Sequence, residues 1–116
     1  MKNVIPALGA AALLLVSVAP ALAQTKTMTV TKVDNSTVRV VETTYPPGSV
    51  NPMVARPATV VYVVSGTEHV KFTYPDGHSR TVSLPAGSVF FTPAATRSIT
   101  NVGTAPFTTL AIQIKK

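Results

Sequence analysis

The sequence predicts an all-β fold with eight or nine antiparallel strands. Residues 24–116 contain 17 Thr and 15 Val, which are stiff at χ1 and suit a pleated strand better than a helix. Turn residues, chiefly Pro, Gly, Asp and Asn, recur at short intervals between alternating or apolar segments. The Ala-rich runs of helical type lie in the first 23 residues or beside prolines. The chain is therefore expected to form one small β-barrel or sandwich with no helix layer.

The first 23 residues have the order of a secretory signal peptide. A basic start, an apolar run over residues 4–18 and the small-x-small site Ala21-Leu22-Ala23 precede Gln24. The apolar run is shorter than the ~20 residues that a membrane-spanning helix needs. We expect a mature protein that begins at Gln24, is periplasmic or extracellular, and has no membrane contact after cleavage. The chain has no cysteine, which excludes disulfides, lipid attachment and thiolate metal sites.

The charge pattern argues against a nucleic-acid partner. Residues 24–116 carry nine Lys or Arg and four Asp or Glu, a net charge of +5, against +6 for the whole chain. The cations are scattered singly, and only Lys115 and Lys116 are adjacent, so no basic stripe could follow a phosphate backbone. A weak attraction to small anions remains.

Turn chemistry divides the chain into strands. The regular strands are predicted at residues 27–33, 37–45, 59–64, 68–74, 78–84, 88–92, 98–102 and 107–114. Residues 49–57 contain two prolines and no clean alternation, which predicts a loop or an irregular edge strand. Pro75-Asp76-Gly77 forms a tight hairpin loop. Residues 24–37 are assigned to an N-terminal strand or arm, and residues 38–116 to the barrel domain.

The strand at residues 59–64 is apolar on both faces, whereas a sheet with one wet face should alternate. Either a second sheet covers one side and a partner subunit the other, or an N-terminal strand folds across it. We expect a homodimer that uses the outer face with Val60, Tyr62 and Val64.

The order of these elements resembles the cupin superfamily, small jelly-roll β-barrels, over roughly residues 38–114. The family's first motif is a Gly, a His-x-His pair, a Glu about four residues later and a Gly seven beyond it. Gly48 opens the corresponding segment, and residues 59–66 match its end, with Gly66 fixing the alignment. The family's second motif is Pro-x-Gly-x-x-His-x-x-x-Asn. Residues 84–93, followed by Asn101, occur here in the same order as the elements of that motif.

The resemblance implies that the family's metal centre has been lost. Its four ligand positions fall on side chains without imidazole or carboxylate: Met53, Ala55, Thr59 and Arg97. None of these groups replaces the ligands of a transition metal. His69 and His78 should lie ~16 Å apart on opposite faces of one hairpin, so they cannot share an ion. No metal and no cofactor is therefore expected.

Arg97 is the strongest candidate for a binding residue, because the family's side chain at this position points into the barrel. A fixed cation there should meet an anion, either Glu42 or a bound carboxylate or phosphate. Alternatively, the segment before Asn101, one residue shorter than usual, turns Arg97 outward and leaves Ser98 or Ile99 inside. The other candidates for the cavity wall are Met53, Ala55, Thr59, Val61 and Val63, with Arg56 at the rim.

The residues predict a binding protein rather than a catalyst. No Gly-x-Ser-x-Gly elbow and no paired carboxylates are present, so no catalytic residue is assigned. The leading interpretation is an exported, metal-free barrel that binds a small, partly apolar anion or a partner protein. One alternative is a metal-dependent enzyme of the cupin kind, an isomerase or dioxygenase, with unrecognised ligands. Another is a structural or interaction subunit with a filled barrel.

Overall fold

The computed structural model describes residues 26–116 as nine strands with no helix. The predicted signal peptide, residues 1–23, and its cleavage site lie outside the described residues. The strands are β1 (Met28–Asp34), β2 (Val38–Tyr45), β3 (Val50–Arg56), β4 (Thr59–Ser65), β5 (Thr67–Thr73), β6 (Ser79–Pro85), β7 (Val89–Thr92), β8 (Ala95–Asn101) and β9 (Phe107–Ile114). The described segment thus holds no helix that could cross a membrane.

The strands pair antiparallel in two sheets, with the orders β1-β2-β9-β4-β7 and β3-β8-β5-β6. This confirms the predicted all-β class and fits a jelly-roll barrel. Residues 49–57 contribute the irregular strand β3, which lies at an edge as its prolines require. Strand β8 begins at Ala95, three residues before the predicted start at residue 98.

The core lies between the sheets and is built from alternate residues of the strands. Tyr45, Val70, Phe72 and Phe107 are buried together, and the rings of Tyr45 and Phe107 stack at 4.7 Å between centroids. Farther along β9 the inward side chains are those of Thr109 and Ala111, which are much smaller than that of Phe107. These short side chains leave room inside the barrel.

Two positions that carry the family resemblance have structural roles. Gly66 has φ +75°, and a Cβ there would lie 2.6 Å from the carbonyl oxygen of Pro106. Asn101 is 1% exposed, and its Nδ2 donates to the carbonyl oxygens of Tyr45 at 2.9 Å and Ala105 at 3.0 Å. Both residues therefore tie the loop before β9 to the rest of the barrel.

The outer face of β4 is apolar and partly exposed in the single chain. Tyr62 is 39% exposed and Val64 40%, and the adjacent strand β7 adds Val89 and Phe91. Strand β1 pairs with β2 at the edge of the sheet. The alternative that the N-terminal strand folds across β4 is therefore wrong.

Candidate functional site

A cavity of about 70 Å³ lies between the two sheets. Its polar lining comprises Tyr45, Asn51, Arg56, Glu68, Arg97 and Gln113, together with the four threonines Thr43, Thr59, Thr92 and Thr109. Its apolar lining comprises Val41, Val61, Phe72, Phe90, Ile99 and Ala111. Since one water molecule needs roughly 10–15 Å³ of such space, the cavity can hold several waters or a small organic molecule. Such a mixed lining is typical of a small-molecule site.

Four of the predicted wall residues line this cavity: Arg97, Arg56, Thr59 and Val61. Val63 is fully buried and packs outside the lining. The expectation that Met53 and Ala55 line the cavity needs correction, because both are exposed on β3. A bulge between Asn51 and Val54 breaks the alternation of this strand. Arg56, beyond the bulge, faces the cavity as a result, on the same side as Asn51 before it.

The guanidinium of Arg97 lies inside the barrel. Arg97 is 5% exposed, and its Nη2 donates to Oγ1 of Thr92 at 3.2 Å. Its Cζ lies 5.4 Å from the centre of the Phe72 ring, a cation–π contact. Its Nε is buried without a hydrogen-bond partner among the described residues. Burial lowers the pKa of this group, yet an Arg keeps its charge in proteins.

The structure agrees with an inward Arg97 side chain and excludes two of the sequence-based alternatives, pairing with Glu42 and an outward orientation. Glu42 does not meet it, because Glu42 is half-exposed and pairs with Nζ of Lys32 at 3.7 Å. Within residues 26–116 no carboxylate lies within 4.0 Å of Arg97. The side chain does not turn outward either, since Arg97 and Ile99 occupy alternate positions of β8 and both line the cavity. Arg97 is thus a buried cation without a counter-ion from residues 26–116.

Arg56 has partners within the protein. Its Nε donates to the carbonyl oxygen of Arg97 at 3.0 Å, and its Nη2 donates to Oδ1 of Asn51 at 3.2 Å and to the carbonyl oxygen of Pro52 at 2.6 Å. Burial lowers the pKa of its guanidinium. Arg56 therefore holds β3 against β8 and adds positive potential near Arg97.

Glu68 is a cavity residue that the sequence analysis missed. It is 4% exposed, and its Oε1 is buried without a hydrogen-bond partner among residues 26–116. Burial alone raises the pKa of this carboxyl from 4.5 to about 7. The alternation of β5 could have predicted the burial of Glu68, because Glu68 lies on the same face of the strand as Val70 and Phe72, which are both buried.

The phenol of Tyr45 lies among these charges. Its Oη accepts a hydrogen bond from Nδ2 of Asn51 at 3.1 Å. Burial raises the pKa of the phenol and Glu68 raises it further, while the Asn51 hydrogen bond, Arg56 and Arg97 lower it. Tyr45 is therefore close enough to both arginines and to Glu68 to be affected by all three charges.

Arg97 and Glu68 stand toward opposite ends of the cavity. In the β5–β8 pair Phe72 lies opposite Ile99, and the same register places Arg97 opposite Tyr74. Tyr74 is six residues from Glu68 along the chain, which separates the two backbones by about 20 Å. Along β5 and β8 the register places Phe72 and Ile99 between these two positions. Asn51 lies opposite Ile99 and binds Tyr45 and Arg56, so the cavity between Arg97 and Glu68 has an apolar wall of Phe72 and Ile99 and a polar side at Asn51.

The donors of the cavity do not fit the transition-metal site that the cupin resemblance would imply. Among the described residues the lining offers one carboxyl, a phenol, two amides, two guanidinium groups and hydroxyls, with no imidazole. His69 faces Ser83 on the neighbouring strand, and His78 stacks on Tyr74 at 4.5 Å. Across residues 26–116 no three His, Asp or Glu side chains are grouped to hold an ion. The described cavity donors are therefore not those of a transition-metal site.

No protein-family model and no curated protein matches this sequence. Several solved structures are similar. A cupin domain from Bordetella pertussis Tohama I has a TM-score of 0.71 and 24% identity, covering 80% of this chain and 97% of that chain. A cupin superfamily protein from Desulfitobacterium hafniense DCB-2 has a TM-score of 0.61 and 15% identity, covering 78% of each chain. A predicted oxalate decarboxylase from Thermotoga maritima has a TM-score of 0.59 and 21% identity, covering 78% of this chain and 81% of that chain.

Proposed function

The chain has the cupin fold, and we propose that it is a metal-independent binding protein for a small, partly apolar carboxylate. The observation that carries this proposal is Nε of Arg97, which is buried in the cavity without a partner among the described residues. A buried cation without a counter-ion is costly, so a bound anion would stabilise it. The guanidinium fork matches a carboxylate, which can accept two parallel hydrogen bonds from it.

The apolar part of the cavity wall supports a ligand with a hydrocarbon part. Phe72, Ile99 and Val61 line this region, and a ligand chain against them would remove apolar surface from water. A metal-dependent enzyme would need imidazole or further carboxylate ligands in this cavity. A filled structural barrel would lack the space that the short side chains Thr109 and Ala111 leave.

Thermal unfolding with and without small carboxylates tests the proposal. The native protein should be stabilised by about 2.7 kcal/mol at a hundredfold excess of ligand over Kd. Arg97→Met should lose this effect while the ligand-free variant is equally or more stable, because the substitution removes an unpaired buried charge. Arg39→Met is the matched control, since Arg39 is exposed on β2. Identical ligand responses of the native protein and Arg97→Met would refute carboxylate binding.

Export and dimer formation are parts of the same proposal. The order of residues 1–23 supports export, with Gln24 as the mature N-terminus. The exposed apolar face around Tyr62 and Val64 supports a homodimer through the outer face of β4.

A further inference from the structure

We propose that Glu68 selects ligands that carry a hydrogen-bond donor, a hydroxyl or an ammonium group, at the end remote from their carboxylate. The inference rests on the proposed function, in which Arg97 holds the carboxylate. It adds a second polar contact at the other end of the cavity and thereby names the ligand class: ω-hydroxy or ω-amino carboxylates.

The first observation is that the fold provides Glu68 with no visible partner. Glu68 is 4% exposed, its Oε1 has no hydrogen-bond partner, and no Lys or Arg of residues 26–116 lies within 4.0 Å of it. Buried polar groups are nearly always hydrogen-bonded, and leaving one without a partner costs free energy. A donor on the ligand would satisfy this oxygen.

The second observation is that the other titratable groups of the cavity do not contact Glu68. Arg56 already donates to Asn51 and to two carbonyl oxygens. Tyr45 accepts its hydrogen bond from Asn51. Arg97 stands toward the opposite end, six strand positions away by register. These are the titratable groups that line the cavity with Glu68.

The third observation is the order of polar and apolar surface along the cavity. Along β5 and β8, Phe72 and Ile99 lie between the strand positions of Glu68 and Arg97 and form an apolar part of the cavity wall. A ligand that contacts both groups therefore needs a hydrocarbon segment between its carboxylate and its donor. An unsubstituted carboxylate would place a methyl group against Glu68 and leave Oε1 without a partner.

Isothermal titration calorimetry with the full-length mature protein tests the inference. The probes are butanoate, hexanoate and octanoate, each with its ω-hydroxy and ω-amino counterpart. At the best chain length the donor-bearing ligands should bind about tenfold or more tightly than the unsubstituted one. Glu68→Leu should abolish this preference.

Glu68→Gln separates the two kinds of donor. Its amide oxygen still accepts from a hydroxyl, so the preference for the ω-hydroxy ligand should remain. The preference for the ω-amino ligand should fall about tenfold, because the negative charge is gone. This variant also decides the question if Glu68→Leu does not fold. Glu42→Gln is the matched control, since Glu42 lies on the half-exposed outer side of β2.

The outcomes distinguish the two proposals. If unsubstituted carboxylates bind and depend on Arg97 but the donor adds nothing, the selection by Glu68 is refuted and the proposed function stands. The same conclusion follows if the preference persists in Glu68→Leu, or if Glu68→Gln leaves the ω-amino preference unchanged. If no carboxylate binds, both proposals fall.

Discussion

Replacing Glu68 by Gln isolates the cost of ionising a buried carboxyl group. Burial raises the pKa of Glu68 from 4.5 to about 7. At about 1.4 kcal/mol per pKa unit, this difference corresponds to about 3 kcal/mol. Below about pH 4.5 the carboxyl is protonated in the folded and unfolded chain, and it costs nothing. As the pH rises toward 7 the unfolded chain ionises first, so the free energy of unfolding falls, and above about pH 7 the loss is complete.

The amide of Gln resembles the protonated carboxyl and does not titrate, so the variant should escape this loss. The assay is urea unfolding of both proteins at intervals between about pH 5 and pH 8. The free energy of unfolding of Glu68→Gln minus that of the native protein should rise by roughly 2–3 kcal/mol across this range. Other titrating groups cancel in this difference. Glu42→Gln is measured in parallel as the control for replacing a carboxyl on the half-exposed side of β2. A flat difference for Glu68→Gln would show that the carboxyl is hydrated or paired in solution.

Four further predictions concern the scaffold, the assembly, export and the metal. Gly66→Ala should lower the free energy of unfolding by about 2–4 kcal/mol, because its Cβ would meet Pro106 at a positive φ. Gly77→Ala, also at positive φ but with nothing within 4 Å, should cost about 1–2 kcal/mol in urea unfolding. Tyr62→Lys should shift elution on a sizing column from dimer to monomer. N-terminal sequencing of exported protein should begin at Gln24. Elemental analysis of untagged protein should find no stoichiometric Zn, Fe, Mn, Cu or Ni, because the cavity lacks imidazole donors.

A specific result would refute each of these four predictions. Equal losses for the two alanine variants would show that the close approach of Gly66 to β9 is unimportant. Unchanged elution of Tyr62→Lys would exclude the β4 face as the dimer contact. Recovery of Met1 in the membrane fraction would refute export by cleavage, and one tightly held transition metal per chain would mean that the site has been misassigned.

Local residue patterns sufficed for most of the strands. The last strand begins at Phe107 and ends at Ile114 as predicted, because turn residues precede it and it is rich in β-branched and apolar residues. The two prolines of residues 49–57 indicated an edge position, and β3 lies at one. The start of β8 at Ala95 was not predictable, since its pairing with β3 supplies hydrogen bonds that local propensity does not report.

The site was predicted less completely than the fold. The position of Arg97 followed from counting along a family motif, and the structure places it in the cavity. Met53 and Ala55 were displaced by a bulge, and a single inserted residue in a strand leaves no clear sign in the sequence. The alternation of β5 indicated that Glu68 faces inward, but a single Glu without a charged partner is almost always a surface residue. The contact of Tyr45 with its neighbours depends on tertiary packing that no local pattern encodes.

A crystal structure of the mature protein soaked with hexanoate would decide whether Arg97 is an anion-binding residue. The carboxylate should lie against the guanidinium, with an oxygen about 2.7–2.9 Å from Nε of Arg97. Its hydrocarbon chain should pack on Phe72 and Ile99 toward Glu68. A carboxylate bound elsewhere while Nε remains without a partner, or a cavity closed by its own side chains, would contradict this account.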